Sequence, residues 1–498
     1  MSATEAQTRA MDATEVATLQ NYVNGEWVAA GAAEALDDID PASAELAARV
    51  PLSGTEDVDS AVRAAREAQP AWRAVPPQRR ARAIIALRDA LWEHREEIAQ
   101  LVTADMGKTI DDARGEVLRG IESTEAACAI PHLLKGENLE GVASGVDVEL
   151  VRQPVGVVAA ITPFNFPCMI PLWFLPFALA TGNTFVLKPS ERDPRPSVRI
   201  FELLDSVEEI PPGVANLVHG AHDAVNALLD HPDVDAISFV GQASTAQHVS
   251  RRAATTGKRA QALGGAKNSM VVMPDADLDH GVPAMLGSAF GNAGQRCLAG
   301  SVAVLVGDER RQNEVRDALV DEASKLTLGP GADPDTDVSP LVSPEARGRI
   351  VDAVTRAEDQ GAQILLDGRG ADPGPAATVL GPTIVEPGDP ESELSREELF
   401  GPLLTLVRTP DLEAALEFVN GSRYGNASAI FTTSGQAARA YRYGVEAGMV
   451  GVNVGVPAPV AWFPFAGWKD SMEGDLHANG ADAVEFYTRT KVLTSRWR

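Results

Sequence analysis

Short apolar runs separated by segments of helical length are the feature that most constrains this 498-residue chain. Such runs predict strands buried on both faces, and the segments between them predict helices that cover a parallel sheet. The first set of runs is VGVVAAI (155–161), TFVLK (184–188), ANLVH (215–219) and AISFV (236–240). The second set is SMVVM (269–273), SVAVLV (301–306), LLTLV (403–407), SAIFT (428–432) and MVGVNV (449–454). The sequence therefore predicts an α/β protein with two lobes, the second of which carries long Pro/Gly-rich surface loops at 329–344 and 368–382.

Composition argues against several classes of partner. The chain is too long for one ordinary domain, and 45% hydrophobic residues can fill two or three cores. There are 43 Lys and Arg against 70 Asp and Glu, and the resulting net charge of -27 argues against nucleic acid or anionic membrane as the main partner. The eight histidines are scattered, and only His219 and His222 lie close together in sequence, so we assign no metal site.

Cysteine usage and hydropathy predict a cytoplasmic protein. Cys128, Cys168 and Cys297 are too few and too scattered for a disulfide framework, which indicates a reduced compartment. Residues 1–20 have neither a basic start nor an apolar run, so we expect a frayed N-terminus rather than a secretory signal. The most apolar window, 168–184, contains two prolines and does not reach the roughly 18 uninterrupted apolar residues of a membrane span.

The segment GNAGQRCLAG, residues 291–300, surrounds one thiol, Cys297, with small residues and places Arg296 beside it. A free thiol with a pKa of about 8.5 is only a few per cent thiolate at neutral pH, and a neighbouring guanidinium is one way to favour the thiolate. Cys297 is thus a candidate nucleophile, although a buried structural thiol explains this segment as well. Cys128 and Cys168 lie among apolar neighbours and fit the structural interpretation better.

Seven segments, one of them within GNAGQRCLAG, occur in the order and spacing of the aldehyde dehydrogenase superfamily, which the chain resembles along nearly its whole length. They are TPFNFP (162–167), LKPSE (187–191), SFVG (238–241), GGAKN (264–268), GQRC (294–297), EELFGP (397–402) and FPFAGWK (463–469). Within the superfamily, GQRC, KPSERDP, VPAPVAWFPFAGWK and GDLHANG resemble the CoA-acylating methylmalonate or malonate semialdehyde dehydrogenases. The resemblance implies an aldehyde dehydrogenase fold, with a Rossmann-like cofactor domain, and NAD as cofactor.

The resemblance also assigns expected roles to residues. Cys297 would attack an aldehyde, and the Asn165 side-chain amide with the backbone N–H of Cys297 would hold the oxyanion. Arg119 and Arg296 would hold a substrate carboxylate, although spacing alone makes Arg119 a solvated charge on a helix. The residues expected to bind the cofactor are Lys188 and Glu191 for the adenosine ribose, Gly241 for the pyrophosphate, Glu398 for the nicotinamide ribose with Phe400 beside it, and Phe164.

Two departures from the family pattern affect these expectations. The pyrophosphate loop usually has a second glycine five positions after the first, but Ala246 stands at that place, so only Gly241 is carried over. Hydrolytic members activate water with a Glu four residues before the Lys of the GGK motif, whereas this chain has Leu263, or Ala262 if the glycines are aligned. Water needs a base far more than a thiol does, so we expect CoA as the acyl acceptor. A hydrolytic aldehyde dehydrogenase and a non-catalytic NAD-binding scaffold are the alternatives.

The resemblance finally implies a domain organisation. Residues 1–135 and 154–263 would form the NAD-binding domain, and 264–477 the catalytic domain. Residues 136–153 and 478–498 would form a bridging element, in which VEFYTRTKVLT alternates like a strand. A strand with a free edge pairs readily with a second subunit, so a homotetramer, or at least a dimer, is expected.

Overall fold

A computed structural model describes residues 16–497 of the chain. The helices are α1 (Thr55–Ala74), α2 (Pro77–Glu93), α3 (Arg95–Met106), α4 (Ile110–Cys128), α5 (Ile130–Leu133), α6 (Met169–Thr181), α7 (Arg195–Asp205), α8 (His222–Asp230), α9 (Ala243–Thr255), α10 (Leu278–Phe290), α11 (Glu309–Ala323), α12 (Pro344–Asp359), α13 (Glu393–Arg396), α14 (Leu412–Asn420), α15 (Gly435–Gly444) and α16 (Gly480–Phe486). Short 3₁₀ helices occupy Gly291–Gly294 and Gly368–Gly370.

The strands of the first half are β1 (Asn21–Val23), β2 (Glu26–Val28), β3 (Ala35–Ile39), β4 (Leu46–Pro51), β5 (Glu137–Ala143), β6 (Val146–Pro154), β7 (Val157–Ile161), β8 (Thr184–Lys188), β9 (Ala215–Leu217), β10 (Ala236–Val240) and β11 (Arg259–Leu263). Those of the second half are β12 (Asn268–Val272), β13 (Gly300–Val306), β14 (Gln363–Leu366), β15 (Thr383–Glu386), β16 (Leu403–Thr409), β17 (Tyr424–Gly425), β18 (Ala427–Phe431), β19 (Met449–Val452), β20 (Trp468–Lys469), β21 (Met472–Glu473) and β22 (Thr488–Arg496).

The first large sheet has the strand order β2-β1-β9-β8-β7-β10-β11-β21. Its five central strands, from β9 to β11, are parallel, and the four apolar runs of the first set form four of them. Every residue of β7, β8 and β10 is buried, which explains why these segments are almost continuously apolar. The predicted first lobe is confirmed.

The second large sheet has the order β14-β15-β16-β13-β12-β18-β19, and all its pairs except β14 with β15 are parallel. The second set of apolar runs forms five of its strands, so the second lobe is also confirmed. One loop prediction was incomplete: within 329–344, residues 338–341 are buried. The Gly331 carbonyl accepts a hydrogen bond from the Ile110 N–H at 2.9 Å, so this loop covers the start of α4.

A third, smaller sheet pairs β22, β6 and β5. The predicted strand in VEFYTRTKVLT begins later than expected, because Val484 to Phe486 close the short helix α16 and the strand starts at Thr488. The Tyr487 side chain between them is fully buried, and its hydroxyl contacts the Ser238 hydroxyl at 2.9 Å, which ties this segment to β10. The division of the chain into three domains stays a prediction.

The N-terminal segment expected to fray, residues 1–20, is described from residue 16 onward. Residues 1–15 lie outside the described residues, and with them most of the segment expected to fray. Residues 17–19 run beside β4, since the Leu19 N–H donates to the Arg49 carbonyl at 2.8 Å, so the fraying expected there is wrong. No helix within residues 16–497 is both long and apolar enough to cross a membrane.

The two large sheets bring several chain reversals together. The carboxyl ends of parallel strands share one edge of a sheet, and β7, β8, β10 and β11 are followed there by the segments TPFNFP, PSE, GQ and GGAK. Cys297 lies just before β13 of the second sheet. These connections build the candidate site.

Candidate active site

Two amide side chains fix the backbone of Cys297. The Asn268 and Asn426 side-chain N–H groups donate to the Cys297 carbonyl at 2.9 and 2.8 Å. Asn268 ends the GGAKN segment and begins β12, whereas Asn426 lies between β17 and β18 and carried no sequence signal. The carbonyl of the nucleophile's own peptide is thereby anchored to the second sheet.

The turn that leads to Cys297 is held in an unusual backbone conformation. Asn292, Ala293 and Gly294 have φ angles of 52°, 50° and 70°, in the left-handed region. Each of the two non-glycine residues costs about 1–3 kcal/mol there, and the surrounding contacts must offset that cost. The Asn292 N–H donates to the Asp112 carboxylate at 2.9 Å, and a Cβ on Gly294 would lie 2.1 Å from the Gly401 carbonyl. The small residues of GNAG are therefore a requirement of the turn.

Arg296 does not make Cys297 a thiolate in this structure, so that expectation is wrong. Burial, followed by the charge of Glu398, raises the pKa of the Cys297 thiol to about 12, and the opposing effect of Arg296 is smaller. The Arg296 guanidinium is paired with the Asp112 carboxylate, which neutralises much of its field. Burial also raises the pKa of Cys128 to about 11 and that of Cys168 well above its ordinary value, as expected for structural thiols.

Cys297 lies where two cavities meet. The first, the arginine cavity, has a volume of about 260 Å³ and is lined by α4, α6 and the segment 456–479. Arg119 and Arg296 both line it, together with apolar side chains from Phe166, Trp173 and Phe465. The predicted pair of arginines is thus on the same side of the thiol.

The two arginines differ in how they are held. Arg296 is largely buried and forms its close ion pair with Asp112. The Arg119 side chain is 41% exposed, and its guanidinium lies 3.6 Å from Glu122 on the next turn of α4. An exposed contact of this kind contributes little and is easily exchanged, so Arg119 is the arginine with free donors.

A buried ion pair in the wall of the arginine cavity was missed by sequence reasoning. The Lys108 ammonium lies 2.6 Å from the Glu116 carboxylate, and both side chains are fully buried. Lys108 and Glu116 are eight positions apart, one before α4 and the other within it. Neither belongs to a recognisable motif.

The second cavity, the strand-end cavity, consists of two adjoining chambers of about 560 and 390 Å³. The inner chamber reaches Cys297 and is lined by Asn165, Glu398 and Phe400. The outer chamber is lined by Lys188 and Glu191, and Phe164 and Gly241 border both. All the residues expected to bind the cofactor therefore line one continuous cleft.

Lys188 and Glu191 form a charged pair in the outer chamber. The Lys188 ammonium lies 2.7 Å from the Glu191 carboxylate, directly after β8. Burial opposes ionisation of Glu191, but the charge of Lys188 and its hydrogen bond lower the pKa of this carboxyl overall. Glu191 is consequently an ionised acceptor facing the cleft.

Gly241 leaves room for a ligand at the start of α9. A Cβ on Gly241 would lie 2.5 Å from the Phe239 ring, so no larger residue fits. The Gln242 side chain makes no capping hydrogen bond to the helix, which leaves the first N–H groups of α9 available for an anion. Ala246, which replaces the second glycine, is fully buried in this helix and does not obstruct the cleft.

Glu398 occupies the inner chamber beside the GGAK segment. Its carboxylate accepts from the Ala266 N–H at 3.0 Å. Burial raises the pKa of Glu398 to about 7, against the opposing effects of that hydrogen bond and of Lys267. Phe400 has a φ of 57° and packs edge-on against Phe164 with the ring centroids 5.9 Å apart.

Asn165 lies at the boundary of the inner chamber, on the connection that follows β7. It is 3% exposed, and its side-chain N–H donates to the Gln295 carbonyl at 3.1 Å, two residues before the thiol. The Asn165 amide and the Cys297 backbone are therefore coupled through one short segment. This arrangement can present two N–H donors to an oxygen on a carbon bonded to the thiol.

The end of β11 has no proton acceptor in its side chains. Ala262 and Leu263 are 0% and 4% exposed and belong to the hydrophobic interior of the first lobe. Leu263 contributes only its carbonyl, which accepts from the Gly241 N–H at 3.0 Å. A base for water is thus lacking at both positions considered for it.

The chain was compared with known families, curated proteins and solved structures. The model of the aldehyde dehydrogenase family matches residues 27–493. The chain is 48% identical to malonate-semialdehyde dehydrogenase 1 of Geobacillus kaustophilus, over 97% of this chain and 98% of the relative.

Two solved structures share its fold closely. The methylmalonate-semialdehyde dehydrogenase of Oceanimonas doudoroffii superposes with a TM-score of 0.94 at 42% identity, covering 97% of this chain and 99% of that one. A Sinorhizobium meliloti 1021 protein, described as a methylmalonate-semialdehyde dehydrogenase and solved with NAD, gives a TM-score of 0.95 at 42% identity, with the same coverage. The expected fold is confirmed, and the chain belongs to the aldehyde dehydrogenase family.

Proposed function

We propose that this protein is a CoA-acylating dehydrogenase that oxidises malonate or methylmalonate semialdehyde with NAD. One observation supports this most directly. Cys297 lies between a cavity lined by two arginines and a cleft lined by the carboxylates of Glu191 and Glu398. The end of β11 has Ala262 and Leu263 at the positions where a base for water would stand. The semialdehydes are also the substrates in the names of the relatives.

The strand-end cavity fits a dinucleotide. Glu191 is an ionised acceptor for ribose hydroxyls, and the uncapped start of α9 beside Gly241 suits a pyrophosphate. Glu398 and Phe400 stand in the chamber next to Cys297, where they would hold the nicotinamide ribose and pack beside the ring. NAD, when bound there, supplies the acceptor for the hydride.

The first chemical step uses the chain's own groups. The Cys297 sulfur adds to the aldehyde carbon, and its proton passes to solvent as the bond forms. The carbonyl oxygen becomes an oxyanion that accepts from the Asn165 amide and the Cys297 N–H. After loss of hydride, the acyl group remains on Cys297 as a thioester.

The arginine cavity determines which aldehyde is held. A semialdehyde carries a carboxylate on the carbon next to the reacting group. The Arg119 guanidinium can bind this carboxylate by donating two parallel hydrogen bonds to its oxygens. Arg296 adds a second positive charge to the cavity wall, although its ion pair with Asp112 offsets part of that charge.

The thioester carbonyl then allows the substrate's β-carboxylate to leave as carbon dioxide, because it accepts the electron pair of the breaking bond. The enolate left behind takes up a proton from solvent, and the thiol of CoA then attacks the resulting acyl group and releases Cys297. A thiol titrates near 8.5 and water near 15.7, so the acceptor thiol needs much less help than water. The products are acetyl-CoA or propionyl-CoA, carbon dioxide and NADH.

The test is NADH formation from either semialdehyde with and without CoA, with the products identified by mass spectrometry. Steady turnover is expected only with CoA, and without it a burst of about one NADH per Cys297 followed by slow release. Rapid CoA-independent formation of a free acid would instead identify a hydrolytic enzyme. An absence of both burst and turnover would identify a non-catalytic NAD-binding scaffold.

We further propose that the protein works as a cytoplasmic homotetramer. The small sheet β22-β6-β5 exposes Leu139 and Val492 by 64% and 61%, Trp497 directly after β22 is 68% exposed, and β5 has a free edge. Apolar side chains on a free-edged sheet favour contact with a second copy. The predicted domains 1–135 with 154–263, 264–477, and 136–153 with 478–498 are part of this proposal. Sedimentation of the protein, with and without truncation at residue 487, tests it.

A further inference from the structure

The Lys108–Glu116 pair in the wall of the arginine cavity is not used by the proposed chemistry. Both side chains are fully buried, with 2.6 Å between the ammonium and the carboxylate. A buried ion pair is weak support for stability, because well-packed apolar residues often replace one without loss. The pair therefore requires an explanation in terms of what it holds in place.

Two of the three N–H donors of Lys108 have hydrogen-bond partners, and its charge lies over an aromatic ring. One points to Glu116, and a second donates to the Asn165 backbone carbonyl at 2.7 Å. The ammonium also lies 4.1 Å from the centroid of the Phe166 ring, within range of a cation–π contact. A lysine has three donors, so at most one N–H of Lys108 is left for a substrate carboxylate, although Lys108 lines the same cavity as Arg119.

Glu116 holds the other end of the same segment. Its second carboxylate oxygen accepts from the backbone N–H groups of Cys168 and Met169 at 2.8 and 3.1 Å, where α6 begins. The connection from Asn165 to Met169 is thus held at both ends by one ion pair. Its inner surface carries the amide that faces Cys297.

We infer that Lys108 and Glu116 are positioning residues for the Asn165 amide, and that they act on the rate of acyl-enzyme formation through it. The inference rests on the proposed role of Asn165 as an oxyanion donor. An oxyanion donor must be placed to within a fraction of an ångström before the charge develops, and within residues 16–497 the Asn165 side chain is held by its hydrogen bond to the Gln295 carbonyl and by the position of its own backbone. Lys108 fixes that backbone.

The test needs a variant that removes the hold on Asn165 without leaving a buried charge. Lys108→Met combined with Glu116→Gln does so, because glutamine retains an acceptor for the Cys168 and Met169 N–H groups. We expect NADH formation from propanal, an aldehyde without a carboxylate, to fall about 10- to 100-fold in kcat, less than the roughly 10²- to 10³-fold loss for complete removal of an oxyanion donor, because the Asn165 amide is displaced but still present. Thermal unfolding, NAD affinity and alkylation of Cys297 should remain close to wild type.

A double-mutant comparison separates positioning from general damage. Asn165→Ala alone should slow the NADH burst about 10²- to 10³-fold. Adding the Lys108→Met and Glu116→Gln changes to Asn165→Ala should then slow it less than threefold further, because the group they position is already gone. A further 10- to 100-fold loss in that background would overturn the inference.

A structural measurement makes the inference independent of activity. Crystal structures of the wild type and of the Lys108→Met, Glu116→Gln protein should show the Asn165 peptide displaced and its contact with the Gln295 carbonyl lost in the variant. An unmoved Asn165 overturns the inference even if the enzyme is slow. The proposed function fails separately, if the wild type forms no NADH from any aldehyde.

Discussion

The two cavities that meet at Cys297 are built in different ways. In the strand-end cavity the first lobe contributes short segments that directly follow β7, β8, β10 and β11, so those residues stand at fixed places relative to a strand, and the second lobe adds Glu398 and Phe400 from the segment before β16. The arginine cavity is formed by side chains of α4 and α6 and by a long segment near the C-terminus. One side is an edge of a sheet, and the other is a space between helices.

This difference separates a general function from a specific one. Backbone N–H groups and strand-end carboxylates suit a ligand common to many members of a fold, whereas helix side chains can change without disturbing a sheet. In the arginine cavity each arginine has a carboxylate neighbour, Asp112 for Arg296 and Glu122 for Arg119. We expect the strand-end side to support hydride transfer from any aldehyde, and the arginine side to select among aldehydes.

The largest effect is expected where the two cavities join. Cys297→Ala should abolish NADH formation with every aldehyde, because the sulfur forms the bond to the aldehyde carbon from which hydride leaves. NAD affinity should be nearly unchanged, because other residues line the strand-end cavity. The matched control is Cys128→Ala, since that thiol lies on α4 with its sulfur directed to the Thr124 carbonyl at 3.3 Å. Turnover and NAD affinity measured for both variants decide the assignment. Loss of turnover in Cys128→Ala with activity retained in Cys297→Ala would refute it.

The next effect should be confined to the arginine cavity. Arg119→Leu should lower kcat/KM for methylmalonate semialdehyde by roughly 10- to 1,000-fold, the loss of a charge-assisted contact worth about 1.5–4 kcal/mol. It should barely affect propanal, which has no carboxylate. Arg114→Leu is the control, because Arg114 is on the same helix but pairs with Glu96 away from the cavity. Equal losses on both aldehydes would show that Arg119 maintains the site.

Arg296→Leu sharpens the same comparison. Removal of Arg296 leaves the Asp112 carboxylate unpaired beside the nucleophile turn, where Asp112 also accepts from the Asn292 N–H. We therefore expect Arg296→Leu to slow propanal oxidation as well, unlike Arg119→Leu. If Arg296→Leu lowers kcat/KM for the semialdehyde and leaves propanal oxidation unchanged, Arg296 acts in carboxylate binding alone.

The sequence predicted the strand-end cavity more completely than the arginine cavity. Lys188, Glu191, Gly241 and Glu398 each stand in a short segment beside a strand or turn, where local spacing determines position. Nine of the strands were also visible as apolar runs, because parallel strands buried on both faces have few polar residues. Local patterns were sufficient for these features.

The interactions that were missed depend on chain packing. Asp112 and Arg296 are 184 positions apart, and Asn426 is 129 positions from the carbonyl it holds. No local pattern indicates such a pair, and the same is true of Lys108 and Asn165, 57 positions apart. The raised pKa of Cys297 was missed for the same reason, since burial and Glu398 outweigh the adjacent arginine only in the folded chain.

A smaller effect is expected at the far end of the strand-end cavity. Ionised Glu191 would repel the 2′-phosphate of NADP, so NAD should be preferred. Glu191→Gln should lower the ratio of kcat/KM with NAD to kcat/KM with NADP by about tenfold. That factor corresponds to a like-charge repulsion of about 1.4 kcal/mol between Glu191 and the 2′-phosphate. Glu209→Gln, at an exposed carboxylate outside the cleft, should leave the ratio unchanged. Equal use of the two cofactors by the wild type contradicts the prediction.

The smallest effect concerns the electrostatic link between the two cavities. After burial, the Glu398 carboxylate is the second cause of the raised pKa of Cys297, and Glu398 itself has a pKa of about 7. Below pH 6 Glu398 is mostly protonated, so Glu398→Gln and wild type should be alkylated by iodoacetamide at similar rates. Above pH 8 the ionised carboxylate disfavours the thiolate, and the variant should react about 3- to 10-fold faster.

In Glu398→Gln the rate itself should rise about tenfold per pH unit from pH 7 to 9, because burial keeps the thiol pKa far above this range, whereas the wild-type rate should rise less steeply while Glu398 ionises. Glu397→Gln, at the exposed neighbouring carboxylate, should follow the wild type at every pH. A variant-to-wild-type ratio that does not change between pH 6 and pH 9 would show that Glu398 affects Cys297 through packing. The strand-end cavity would then control the position of the thiol but not its ionisation.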